Sequence, residues 1–101
     1  MTFTDAFNAD VRLTILQILN KDPGYSVNHE LMAAALDHTR AYSLTDDQVK
    51  THFQWLADQG LVTTETVDRF NKAKLTDLGK RAAGGRVAIP GVARPNPSDT
   101  A

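Results

Sequence analysis

The stretch Thr45–Val62, TDDQVKTHFQWLADQGLV, reads as one complete helix with a start, a buried stripe, a stop and an exit strand. Thr45 followed three residues later by Gln48 is a capping-box pattern: the threonine oxygen accepts one orphan amide and the glutamine side chain returns to another. Val49, Phe53 and Leu56 recur at the four-then-three spacing that lines one helix face. Gly60 supplies the left-handed position that ends a helix, and Leu61-Val62 open an extended run.

Within this stretch, HFQWLADQGLV resembles the phrase that carries the recognition helix into the wing in ArsR-type and MarR-type winged-helix regulators. A second phrase, Leu75-Thr76-Asp77-Leu78-Gly79-Lys80-Arg81, is similar to the leucine-threonine-x-x-glycine entry from last strand to last helix in MarR-like proteins. The run GRVAIPGVARP, residues 85–95, resembles the ends of small winged-helix proteins encoded in Mu-like prophages. The implied fold is mainly α with a small β-hairpin, a winged helix-turn-helix. The implied activity is duplex-DNA binding in transcription regulation, commonly by a dimer built through terminal helices.

Upstream, Thr4 can cap a helix from about Asp5 to Leu19, with Phe7, Val11, Ile15 and Ile18 on one face and Leu16 and Leu19 widening it. Lys21-Asp22-Pro23-Gly24 stops it. Asn28 is the expected cap of a second helix, whose buried side reads as Leu31, Ala34, Ala35 and Leu36. Ala41-Tyr42-Ser43-Leu44 is a candidate edge strand. Downstream, Leu61 to Val67 is β-branched and strand-like, a turn falls near 68–71, and Lys72 to Leu75 pairs back. Thr76 caps a last short helix that Gly84-Gly85 end.

These elements make one domain, residues 1–86, followed by an extended, poorly packed tail over 87–101 that holds Pro90, Pro95 and Pro97. At 42% hydrophobic and 23% charged, the 101-residue chain has the composition of a globular protein. No apolar run approaches the roughly 20 residues of a membrane span, and the start lacks a secretory leader, so no membrane partner and a cytoplasmic location are expected. The chain has no cysteine, which removes disulfides, thiolate metal sites and cysteine nucleophiles, including the cysteine sensor motif of metal-responsive ArsR relatives.

Charge is split along the chain. Through Asp68 there are four basic against ten acidic residues; from Arg69 onward there are seven against two. A basic C-terminal third points to a polyanion on that side. Arg69, Lys72 and Lys74 fall on the expected wing, with Lys80, Arg81, Arg86 and Arg94 extending the positive side. On the central helix, the residues opposite the apolar stripe are Asp47, Thr51, Gln54 and Asp58, with Lys50 beside them. Gln54 suits adenine, Thr51 a thymine methyl or a phosphate, and Lys50 a phosphate or guanine. Asp46, Asp47 and Asp58 oppose phosphates, which keeps open a second reading in which the scaffold is an adaptor for a phage or host protein. Phe3, Phe7, Leu16 and Trp55 are the candidate dimer or partner surface. His29, His38 and His52 share no i, i+3 or i, i+4 spacing, so no metal is expected, nor any cofactor. No nucleophile-histidine-acid phrase or phosphate loop suggests an enzyme.

Overall fold

In the computed structural model, which describes residues 2–96, the helix read from its Thr45 cap spans Asp46–Asp58. In chain order the elements are α1 (Phe3–Lys21), β1 (Ser26–Asn28), α2 (His29–Arg40), α3 (Asp46–Asp58), β2 (Val62–Val67), β3 (Phe70–Leu75) and α4 (Asp77–Ala83). Four helices pack with one antiparallel sheet of order β1-β3-β2.

Both capping boxes obey the same chemistry. At α3, the Gln48 N–H donates to the Thr45 hydroxyl at 3.1 Å while the Thr45 N–H donates to the Gln48 side chain at 2.9 Å. At α1 the cap is Thr2, not the expected Thr4. Asp5 lies three residues after Thr2 and its carboxylate accepts the Thr2 N–H, a reciprocity Thr4 cannot make with Phe7. The exit from α3 is also as read. Gly60 adopts φ +76°, and the Leu61 N–H donates back to the Leu56 carbonyl at 3.0 Å, closing the last turn.

Val49, Phe53 and Leu56 point into the core, where they meet Val11, Ile15, Leu16 and Leu19 of α1. The buried side of α2 departs from expectation. Met32 and Leu36 are fully buried and His29 nearly so, whereas Leu31 is 62% exposed and Ala34 is exposed. Positions 29, 32 and 36 form the true stripe, rotated by about one residue from the alanine-rich reading.

The sheet has three strands, the expected hairpin and an edge strand that comes from a different segment than the candidate 41–44. Ser26–Asn28 supplies the third, pairing antiparallel with β3 through Ser26↔Lys74, Val27↔Ala73 and Asn28↔Lys72. Residues 41–44, the expected edge strand, instead leave α2 through a left-handed Ala41 (φ +55°) and pack Tyr42 and Leu44 against the core. The β2–β3 hairpin closes through Asp68 and Arg69 alone, with Asp68 at φ +54°, so β3 begins at Phe70, two residues earlier than Lys72.

Thr76 ties the end of this hairpin to the end of α3. Its N–H donates to the Leu61 carbonyl at 3.1 Å, its hydroxyl donates to the Gly60 carbonyl at 2.7 Å, and the same oxygen accepts the Gly79 N–H at 3.0 Å. Gly79 is buried there, and a Cβ on it would overlap the Leu61 carbonyl oxygen. The leucine-threonine-x-x-glycine phrase is therefore a packing device: the threonine caps α4, and the missing side chain lets α4 lie on the chain leaving α3.

The expected loose tail is packed as far as residue 96. Val87, Ile89 and Val92 lie against the core, and the Ala93 N–H donates to the Ala9 carbonyl of α1 at 3.0 Å. Pro97 and the rest of the expected tail lie outside the described residues.

Candidate functional site

The outer face of α3 carries the residues that its periodicity assigned to it. Asp47, Thr51, Gln54 and Asp58 are exposed and Lys50 is half-buried. Four of them are engaged with one another: the Thr51 hydroxyl donates to the Asp47 carbonyl at 2.9 Å, and the Gln54 amide donates to the Asp58 carboxylate at 2.9 Å. Gln54 keeps a carbonyl oxygen and a second N–H for another partner. Lys50 is the only lysine or arginine on α3. Asp46 and Asp47 occupy the first turn, where carboxylates are favoured by the helix dipole, so their presence has a structural cause.

The hairpin sorts its lysines by strand alternation. Ala73 and Leu75 are buried, so Lys72 and Lys74 stand on the opposite, solvent face of the central strand. Register places Lys74 between Ser26 and Thr63, and Lys72 between Asn28 and Glu65. Neither lysine is within ion-pair distance of a carboxylate among the described residues. Arg69 is different. At the hairpin turn its guanidinium sits 3.8 Å from the Glu30 carboxylate of α2 and 4.8 Å over the Phe70 ring, although its side chain remains 76% exposed.

The start of α2 is a junction of three elements. His29 is buried; its Nδ1 accepts the Asn71 N–H of β3 at 3.1 Å, and its Nε2 lies 3.9 Å from the Asp46 carboxylate of α3. Candidate ligand atoms of His29, Glu30 and Asp46 fall within 4.8 Å of one another. With Nδ1 accepting, the neutral ring must carry its hydrogen on Nε2, the nitrogen a metal would need bare. His29 thereby sits between α2, α3 and the hairpin, tied to β3 by a hydrogen bond and close to the Asp46 carboxylate of α3.

The four candidate interface residues part company. Phe3 is 85% exposed and stacks on Phe7 at 6.4 Å, and Phe7 meets Tyr42 edge-on at 5.1 Å. Leu16 is fully buried in the chain's own core, which removes it from any surface. Trp55 is half-buried beneath Arg12, whose guanidinium lies 3.9 Å from the ring centroid, and beside Gly91, where a Cβ would overlap the indole.

Arg12, which no motif marks, is the hub of that corner. Its Nε donates to His52 Nδ1 at 3.3 Å, and its Nη1 donates to the Gly91 carbonyl at 3.1 Å. One side chain thereby joins α1, α3 and the C-terminal segment. Burial, and then the nearby Arg12 charge, lower the His52 pKa to about 4, so this histidine is neutral at physiological pH. Burial similarly lowers the Arg12 pKa, partly offset by the Asp5 charge. Tyr42, whose hydroxyl donates to the Asp10 carboxylate, has its pKa raised by burial and by that bond. A single arginine among apolar neighbours in a helix interior is the only sequence sign of such a hub, and it names no partner.

Among the described residues, no helix is long and apolar enough to cross a membrane. The chain matches no protein-family model and no solved structure. It is 36% identical to the uncharacterized protein gp26 of Escherichia phage Mu over 93 residues, covering 92% of this chain and 95% of that protein. It is 34% identical to an uncharacterized protein of Haemophilus influenzae over 84 residues, covering 82% of this chain and 80% of that one. The alignments span nearly the whole fold, and the chain belongs to the family of the phage Mu protein gp26.

Proposed function

We propose that this protein is a winged-helix DNA-binding protein of the ArsR-/MarR-like kind, acting on duplex DNA as a transcriptional regulator. The observation that carries the reading is the element order: helix, short strand, helix, helix and hairpin, with the first strand paired to the last. That order leaves α3 with a polar outer face next to a hairpin whose Lys72 and Lys74 have no ion-pair partner among the described residues. In such a fold α3 enters the major groove and the hairpin holds the adjacent backbone. The lysines supply most of the affinity through phosphates, while Gln54 and Thr51 give a modest sequence preference. Homodimerisation, which would double the contact, has Phe3 and Phe7 as its candidate surface.

The adaptor reading is favoured by one observation, the exposure of Asp46, Asp47 and Asp58 on the helix that would face phosphates. A basic protein partner would suit that face. Titration of a labelled duplex at low and then raised salt tests the proposal. Binding that weakens steeply with salt supports it; absence of binding at low salt defeats it and leaves the adaptor reading.

A further inference from the structure

A groove of about 670 Å³ runs between α1, α2 and the end of α4, on residues outside α3 and the hairpin. Lys21, Arg40 and Arg86 line it, and among the described residues no aspartate or glutamate does. In a chain of net charge −1, three cations without a lining carboxylate form a local positive field. Lys21 and Arg40 lie in the last turns of α1 and α2, where helix dipoles favour cations. That explanation does not reach Arg86, which follows α4, nor the amides of Gln17 and Asn20 on the same wall. Among the described residues, the side chains of Gln17, Asn20, Lys21, Arg40 and Arg86 make no hydrogen bond or ion pair. Ile18 gives the wall an apolar portion.

We propose that this groove binds a small organic anion, a carboxylate or phosphate ester, with its charged group on Arg40, Arg86 and Lys21 and its apolar body on Ile18. The volume suits a small molecule, since ligand pockets commonly run to some 300–1,000 Å³. Arginines provide paired donors for a carboxylate or phosphate, and the two amides supply neutral donors at the edge.

The probe is phenyl phosphate, titrated into the full ¹⁵N/¹³C-labelled chain and followed by NMR, with inorganic phosphate and benzyl alcohol in parallel. Saturable shifts are expected at the Gln17 and Asn20 side-chain amides and the Ile18 methyls. Phenyl phosphate should bind more tightly than inorganic phosphate, and benzyl alcohol should not saturate. Arg40→Gln with Arg86→Gln should weaken phenyl phosphate about a hundredfold, the worth of one charge-assisted hydrogen bond from each arginine. Lys72→Gln with Lys74→Gln should leave binding unchanged. Gln17→Leu, which keeps every charge, should also weaken it. Shifts that rise linearly over all basic residues, equal affinity for inorganic phosphate, or an affinity unchanged by loss of both arginines would overturn the assignment. So would transfer of the saturable shifts to the Lys72 and Lys74 face.

Discussion

Arg12 donates to His52 across 3.3 Å while its guanidinium covers Trp55 at 3.9 Å, so one arginine of α1 engages two residues of α3 three positions apart. Its remaining reach, to the Gly91 carbonyl, pulls the C-terminal segment onto the same corner. Replacing it removes a stacking contact and two hydrogen bonds together. Arg12→Ala is expected to cost about 2 kcal/mol of stability. It should also speed hydrogen exchange at the Ala93 amide and shift Trp55 fluorescence to the red. Arg12→Lys keeps the charge but not the planar fork, and should recover only part of the loss. Unchanged exchange at Ala93 would refute the role given to this arginine.

His52 makes a pH signature of the same corner. Its pKa in the fold is about 4, below the ordinary histidine value of 6.5, because burial and Arg12 disfavour the imidazolium. Between those values the unfolded chain binds the proton that the folded chain refuses. Stability from this group is therefore complete above about pH 6.5 and is lost as pH falls toward 4, with no further loss from it below. After allowance for solvent screening the contribution is about 1–2 kcal/mol. Urea unfolding at stepped pH should show the slope, and His52→Gln, which can still accept from Arg12, should flatten it.

Gly79 carries the steric demand at the other end of the hairpin. A Cβ there would collide with the Leu61 carbonyl, which is backbone and cannot swing away, and with a Leu75 methyl group. Gly79→Ala is expected to destabilise by about 2–3 kcal/mol despite the better helix propensity of alanine, and thermal melting will read it. Ala41 is the converse case. It holds φ +55° at the end of α2, a conformation natural to glycine, so Ala41→Gly should stabilise by about 0.5–1 kcal/mol.

What sequence reasoning reaches, and what it misses, divides by range of interaction. Thr45 with Gln48, Gly60, Asn28 and, in its capping of Gly79, Thr76 act on backbone groups within a turn of themselves, and each of these roles is legible from spacing alone. The stripe of α3 is legible because Val49, Phe53 and Leu56 are large and their opposite face is polar. The stripe of α2 is not, because three consecutive alanines, Ala33 to Ala35, erase the contrast and a histidine supplies one buried position. β1 is only Ser26–Asn28, too short to alternate, and is a strand solely because β3 lies beside it. The packing of residues 87–96 rests on partners such as Ala9 and Arg12, some eighty residues upstream, which prolines and glycines in the segment conceal. Among the candidate site residues, exposure at Thr51 and Gln54 follows from helix geometry. The capture of Arg69 by Glu30 depends on how the hairpin leans on α2, which no local pattern encodes.

That capture separates the basic residues of the hairpin in the effect on DNA that the proposed function expects of them. Lys72 and Lys74 stand on the solvent face of β3 without an ion-pair partner among the described residues, so their charge is available to phosphates at little cost. Arg69 must exchange Glu30 for a phosphate, an exchange that returns less. Charge reversal by Lys72→Glu and Lys74→Glu should therefore weaken duplex binding across all sequences and reduce the slope of log K against log salt by about two. Arg69→Glu should do less on its own, and Glu30→Gln should strengthen binding by freeing Arg69. Gln54→Ala should alter the ranking of sequences more than the mean affinity, because on the proposed reading it would remove a base contact and no charge. Fluorescence anisotropy at several salt concentrations distinguishes these variants. If reversal of both lysines left the salt slope untouched, the hairpin would not be the phosphate-binding element, and the acidic face of α3 would be the better guide to the partner.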